Sequence, residues 1–188
     1  RGAGRQVGDT GGHGASSSLR QAEESVAWKG EAGGPGATRT GDRRNIKYGA
    51  DLDKTCSTGG VLSKGTKVGA HQDTVEELTA LIDEANSRGL KVASHAHGAE
   101  GIINALIAGA DTIEHASFID DEGIRLAIEN DAALSMDIYV TEYILGEGAS
   151  AGILEESLEK ERMTGATQRS NFRKAVEAGA TIVYGTDA

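Results

Sequence analysis

One cysteine, Cys56, and one proline, Pro35, stand among 188 residues. A single thiol excludes an intrachain disulfide framework and any Cys-rich zinc module. No apolar run approaches the roughly 18 residues that a membrane span needs. Positive charge is short as well. Lys and Arg number 19 against 29 Asp and Glu, a formal charge of −10, which argues against phosphate backbones and anionic membranes as partners. The opening RGAGRQ lacks an initiator Met and an apolar signal core, so no targeting signal is legible; the cytoplasm is the favoured compartment. Both ends read as cut edges of a longer chain. No GxGxxG follows the first strand and no GxxxxGK[ST] occurs, which takes weight from nucleotide-binding folds.

Glycine is what the chain has in excess. Of its 27 glycines, 14 fall in residues 1–60, and Arg1 to Asp42 shows neither a 3.6 nor a 2 period. Residues 1–44 therefore read as an irregular, glycine-rich loop region. Order begins at about Asn45. ADLDKTCS forms a short strand, and residues 74–88 place Val75, Leu78, Ile82 and Ala85 on one helical face, with Gly89 as the stop. LKVASHAH is a buried strand and AEGIINALIAGA a helix ending at Gly109. DTIEHASF, AALSMDIYV and TIVYGTDA are further strands, separated by the helices DDEGIRLAIEND and SNFRKAVEAGA. The long polar stretch Thr141–Gly165 interrupts the last crossover. Five strands alternating with helices, with no hairpin signal, predict parallel pairing and an α/β class.

The ionisable residues fall where these strands end. Lys54, His95, His115 and Asp187 each lie within or just after a different apolar run. In a parallel barrel such ends converge on one mouth, where active sites are built. Imidazole nitrogens and a carboxylate there suit zinc and similar divalent ions. Each residue also has a plainer role open to it. A strand-end histidine can be structural, Asp187 can cap a following helix, and Lys54 can be solvated. His95 and His97 point the same way, because the side-chain period of a strand is 2. Cys56 lies on the Lys54 face and reads as a small buried thiol. Ser94 points away from His95, which excludes a serine triad.

The stretches DLDKTCSTGGVLS, VASHAHGAEGIINALIAGADTIEHASFIDDEGI and VYGTDA resemble the amidohydrolase superfamily, in its imidazolonepropionase-related, prolidase-like branch. The resemblance runs from about residue 11 to the end and is strongest between Lys54 and Ile124. It implies a metal-dependent hydrolase on a TIM-type (β/α)8 barrel. Of that barrel, residues 45–188 resemble strands four to eight, without the first strands and the C-terminal end, so that residues 1–188 are a partial catalytic barrel.

Carried over by position, His95 and His115 resemble the metal ligands ending the fifth and sixth strands. Asp187 resembles the eighth-strand aspartate, which binds metal and handles the proton of the attacking water. Lys54 matches the lysine that binuclear members carboxylate and use to bridge two metals. The cofactor implied is zinc or another divalent ion, one or two per site. His97, Tyr139 and His13 are candidate substrate contacts, and His71 reads as an ordinary loop residue. The substrate implied is a dipeptide or an N-acyl amino acid, although relatives open cyclic amides and esters, and the chain is free to form homo-oligomers.

Two departures set expectations against this. No HxH pair precedes Lys54, so this segment alone is expected to be inactive, or to be a degenerate barrel piece without catalysis. Asp53 stands where the family has an apolar residue. Strand alternation aims it outward against the covering helices, where an unpaired carboxylate is costly and tends to be neutral. A sugar-phosphate enzyme on the same barrel would need a phosphate loop that VTEYILGEG does not provide.

Overall fold

The computed structural model describes residues 34–187. His13 and most of the glycine-rich arm lie outside the described residues. Five strands, β1 (Leu52–Cys56), β2 (Lys91–Ala96), β3 (Thr112–His115), β4 (Ala133–Ser135) and β5 (Ile182–Val183), form one sheet. Its spatial order is the sequence order, β1-β2-β3-β4-β5, and every pairing is parallel. Each strand lies beside its sequence neighbour, as in the wall of a (β/α)8 barrel and unlike a doubly wound sheet, whose order reverses at a switch point. The chain is thus part of a TIM-type barrel.

The crossovers are helical. Helix α2 (Val75–Asn86) starts on a capping box, with the Thr74 hydroxyl accepting from the Glu77 amide and the Glu77 carboxylate accepting from the Thr74 amide. Helix α3 (Ala99–Ala108) ends at Gly109 with φ 99°, a left-handed cap that glycine adopts without penalty. Helix α4 (Asp121–Glu129) is capped by the Asp120 carboxylate, which accepts from the Gly123 amide. Leu78, Ile82, Ile102 and Leu106 on α2 and α3 pack with Val92, Ile113 and Leu134 of the strands, all 2% exposed or less. This core lies between the sheet and its outer helices, and the other sheet face is left for polar side chains.

Three expectations need correction. Residues 35–44, expected to be irregular, belong to helix α1 (Pro35–Lys47), with Pro35 in its first turn. It has no apolar stripe because ion pairs dock it: Arg43 donates to Glu84 of α2 at 2.9 Å, and Asp42 is buried. Hydrophobic periodicity cannot detect a helix held that way.

The strand expected over AALSMDIYV is only Ala133–Ser135. Asp137 takes φ 28°, which turns the backbone off the sheet, and Tyr139 becomes the N-cap of helix α5 (Val140–Gly146). The polar interruption is likewise helical. After α5, helix α6 runs over Glu155–Ala178, and its buried face includes Ser157, Glu161, Thr164, Gln168 and Asn171. A polar stripe at helical spacing is invisible to a search for apolar periodicity.

Candidate active site

Alternation along β1 separates two faces. Asp53 and Thr55 turn outward. Asp53 lies 1% exposed against Asp42 of α1, and Thr55 donates to Asp73 at 3.1 Å. Lys54 turns the other way, and its charge acts on His95, His115 and Asp187. The outward carboxylate is in the predicted place, but it is not alone: burial and the Asp53 carboxylate push the Asp42 carboxyl up to about 8.

On the inner side three imidazoles converge. The His95 ring lies 4.8 Å from His97 and 4.5 Å from His115, both edge-on, and His97 stacks on His115 at 4.7 Å. Neighbouring parallel strands carry them there, since Cys56 pairs with His95 and Ala96 with His115. The loop after β1 covers them. A Cβ at Gly60 would meet the His95 ring at 3.0 Å, and one at Gly98 would meet the Gly69 carbonyl at 2.1 Å. Ser94 points outward and shares a 2.6 Å hydrogen bond with Ser57.

Electrostatics keep two of the rings neutral. Burial, then the charges of His115 and Lys54, pushes His95 down to about 3. Burial, then the two neighbouring histidines, holds His97 well below the ordinary imidazole value. Burial opposes charge on His115 as well, but the Asp137 hydrogen bond and the Asp137 and Asp187 charges outweigh it and move that ring up. A neutral imidazole keeps the lone pair that a metal needs.

The donor set fits a divalent cation. His95, His97 and His115 present ligand atoms within 4.8 Å of one another, and so do His115, Asp137 and Asp187. His115 belongs to both groups, which places two adjacent clusters at one strand-end mouth. The structure therefore brings together Lys54, His95, His97, His115 and Asp187. Asp187 is exposed, four residues beyond the end of β5. Tyr139 stands 72% exposed and is fixed by α5 rather than by a strand. His71 is a loop residue paired with Glu100 at 3.3 Å.

Asp137 was not singled out by the sequence. Its Oδ2 accepts from His115 Nδ1 at 3.0 Å, and its Oδ1 accepts from Gln168 Nε2 at 3.3 Å. The available signal was its place after the apolar run ALSM, the same position that marks His95 and His115 on their strands. Gln168 carried no signal, because a single glutamine in a polar helix has no pattern.

The amidohydrolase family model matches residues 5–188. Ochratoxinase of Aspergillus niger is 31% identical over 156 residues, covering 83% of this chain and 32% of its own length. Among solved structures, a Xaa-Pro dipeptidase with bound methionine in its active site is 38% identical, with a TM-score of 0.77 over 82% of this chain and 38% of that one. A prolidase complexed with N-methylphosphonate-L-proline is 27% identical, with a TM-score of 0.78 over 81% and 38%. The chain thus spans about a third of the curated relatives' length. Among the described residues, no helix is long and apolar enough to cross a membrane.

Proposed function

Because the chain belongs to the amidohydrolase family, we propose that it is the central part of a metal-dependent hydrolase cleaving the amide C–N bond of dipeptides or N-acyl amino acids. The convergence of His95, His97 and His115 beside Asp187 and Lys54 at one strand-end mouth carries this reading. The printed names of the similar solved structures, a Xaa-Pro dipeptidase and a prolidase, favour dipeptides as the substrate class.

His95, His115 and Asp187 would hold the cation, zinc being the ion best suited to imidazole and carboxylate donors. When bound, it supplies Lewis acidity, lowering the pKa of water and polarising the scissile carbonyl. The protein's residues do the rest. Asp187 takes a proton from the attacking water and delivers it to the amide nitrogen, so the C–N bond breaks as the leaving amine becomes neutral. The water oxygen stays with the carboxyl product. Lys54 in its neutral form adds carbon dioxide and loses a proton, which turns a cationic side chain into a carbamate with two oxygen donors. His97, within the histidine cluster, and Tyr139 would contact the substrate, and His13 would bind its carboxylate.

A second reading rests on the length covered. A segment spanning 38% of the similar dipeptidase can bind metal without turning substrate over. The test is amine release from a panel of Xaa-Pro dipeptides and N-acyl amino acids, with the zinc-loaded chain and with a version extended at both ends. Turnover that His115→Ala abolishes supports the hydrolase. Zinc binding without turnover in either version supports the second reading.

A further inference from the structure

Two histidines of the cluster are held by their Nδ1 atoms. His97 Nδ1 lies 2.8 Å from Ser117 Oγ, and His115 Nδ1 lies 3.0 Å from Asp137 Oδ2. The second bond settles where the proton sits, because a carboxylate accepts and the ring nitrogen must donate. His115 Nε2 is then the nitrogen that keeps a lone pair.

Asp137 is itself fixed. The Gln168 amide, buried on α6, donates from Nε2 to the Asp137 carboxylate at 3.3 Å, the Met136 carbonyl at 2.9 Å and the His115 carbonyl at 3.1 Å. One side chain thus joins the ends of β3 and β4. The backbone there is in an unusual state: His115 (φ 69°), its neighbour Ala116 (φ 46°) and Asp137 (φ 28°) all have positive φ, which non-glycine residues rarely adopt. Such conformations persist where surrounding bonds over-determine them, and they gather at functional sites. Asn171, one turn further along α6, donates to the Ser117 carbonyl at 3.0 Å and secures the strand end that holds His97.

We propose that Asp137 and Gln168 are positioning residues: Gln168 locks Asp137, and Asp137 fixes His115 in its Nδ1–H form so that Nε2 is the atom presented to a metal ion. Asp137 Oδ2 accepts from His115 and Oδ1 from Gln168, and in this proposal Asp137 orients a ligand rather than acting as one. The proposal rests on reading His115 as a metal ligand. Partners of this kind commonly set metal affinity by orienting the ring and raising its basicity.

The test needs no turnover. The metal-free 188-residue chain is labelled with 15N-histidine, and two-bond 1H–15N correlations are recorded at a pH where every ring is neutral. Loss of a signal in His115→Gln assigns that ring. The Nδ1–H form is expected for His115 in the unsubstituted chain, and the Nε2–H form in Asp137→Leu. Zinc affinity, read by competition with a chelating dye, should fall about ten- to hundred-fold in Asp137→Leu. A smaller loss is expected in Asp137→Asn, whose amide oxygen still accepts, and in Gln168→Leu. An Nε2–H signal from His115 in the unsubstituted chain overturns the proposal whether or not the variants fold. So does an unchanged zinc affinity in folded Asp137→Leu, or loss of one whole zinc equivalent in Asp137→Asn, which would make Asp137 a ligand. Absence of turnover in both the chain and its extended version, with the expected ring form present, would refute the hydrolase reading and leave this one standing.

Discussion

Replacing Asp42 by asparagine should make the protein more stable at neutral pH, although it exchanges one buried polar side chain for another of the same shape. Asp42 is 3% exposed and Asp53 1% exposed, and among the described residues neither Asp42 oxygen nor Asp53 Oδ2 has a hydrogen-bond donor. Asp53 Oδ1 accepts from the Lys54 amide at 2.9 Å. The surrounding charges are Glu84 of α2 and Arg88 just beyond its end, with Arg43 of α1 bonded to Glu84. Two facing buried carboxylates cannot both ionise cheaply, so Asp42 keeps its proton up to about 8 against 3.8 for a free side chain.

The sign follows from proton counting. Between those two values the folded chain holds a proton that the unfolded chain has released, so stability falls as pH rises through the window. The loss is about 1.4 kcal/mol per pH unit and on the order of 4 kcal/mol by neutrality. Asp42→Asn keeps the shape, gives Asp53 Oδ2 a permanent donor and takes up no proton. It should therefore match the parent near pH 4 and exceed it by a few kcal/mol at neutral pH, an upper figure that any relaxation around the pair reduces. Urea unfolding of both proteins at pH 5, 6, 7 and 8 measures this. Parallel stability profiles, or an asparagine variant less stable at neutral pH, would refute the shared-proton account.

Gly98→Ala puts a Cβ 2.1 Å from the Gly69 carbonyl oxygen, backbone against backbone. It should lower stability by about 2 kcal/mol or more and disturb the loop over His95, read as a lower urea midpoint and weaker zinc binding. Thr74→Ala removes half of the α2 capping box and should cost about 1 kcal/mol, with the site unaffected, since the cap lies in the solvent-exposed first turn. The two buried neutral histidines act oppositely to Asp42. Their depressed values mean that stability present above the unfolded imidazole range is lost as pH falls below it, so the metal-free chain should weaken in acid, and His97→Phe should flatten part of that decline in an acid titration followed by circular dichroism.

Strand order and the mouth were legible because β2 and β3 bury apolar residues such as Val92 and Ile113 in short runs between helices with real apolar faces. The histidines stood out because they are rare and end those runs. What escaped was held by polar bonds. Helix α1 docks through Arg43, Asp42 and Glu84, and α6 turns Glu161, Gln168 and Asn171 inward, Glu161 onto Thr141 and the other two onto backbone carbonyls. Pattern reading scores such residues as solvent-facing. Asp137 was missed because its strand stops at Ser135 and its position depends on a backbone turn that only the folded chain makes. The outward aim of Asp53 followed from strand alternation alone, but its partner Asp42 lay in a stretch with no period.

The central claim is that the strand-end histidines form a metal site. Its most direct measurement is the zinc content of the purified, metal-stripped chain after equilibration with zinc and dialysis, compared with a His95→Ala/His115→Ala variant. The account predicts at least one tightly held zinc per chain, lost in the double variant while the far-ultraviolet circular dichroism is kept. A folded parent that retains no zinc, or a folded double variant that retains as much as the parent, would contradict it.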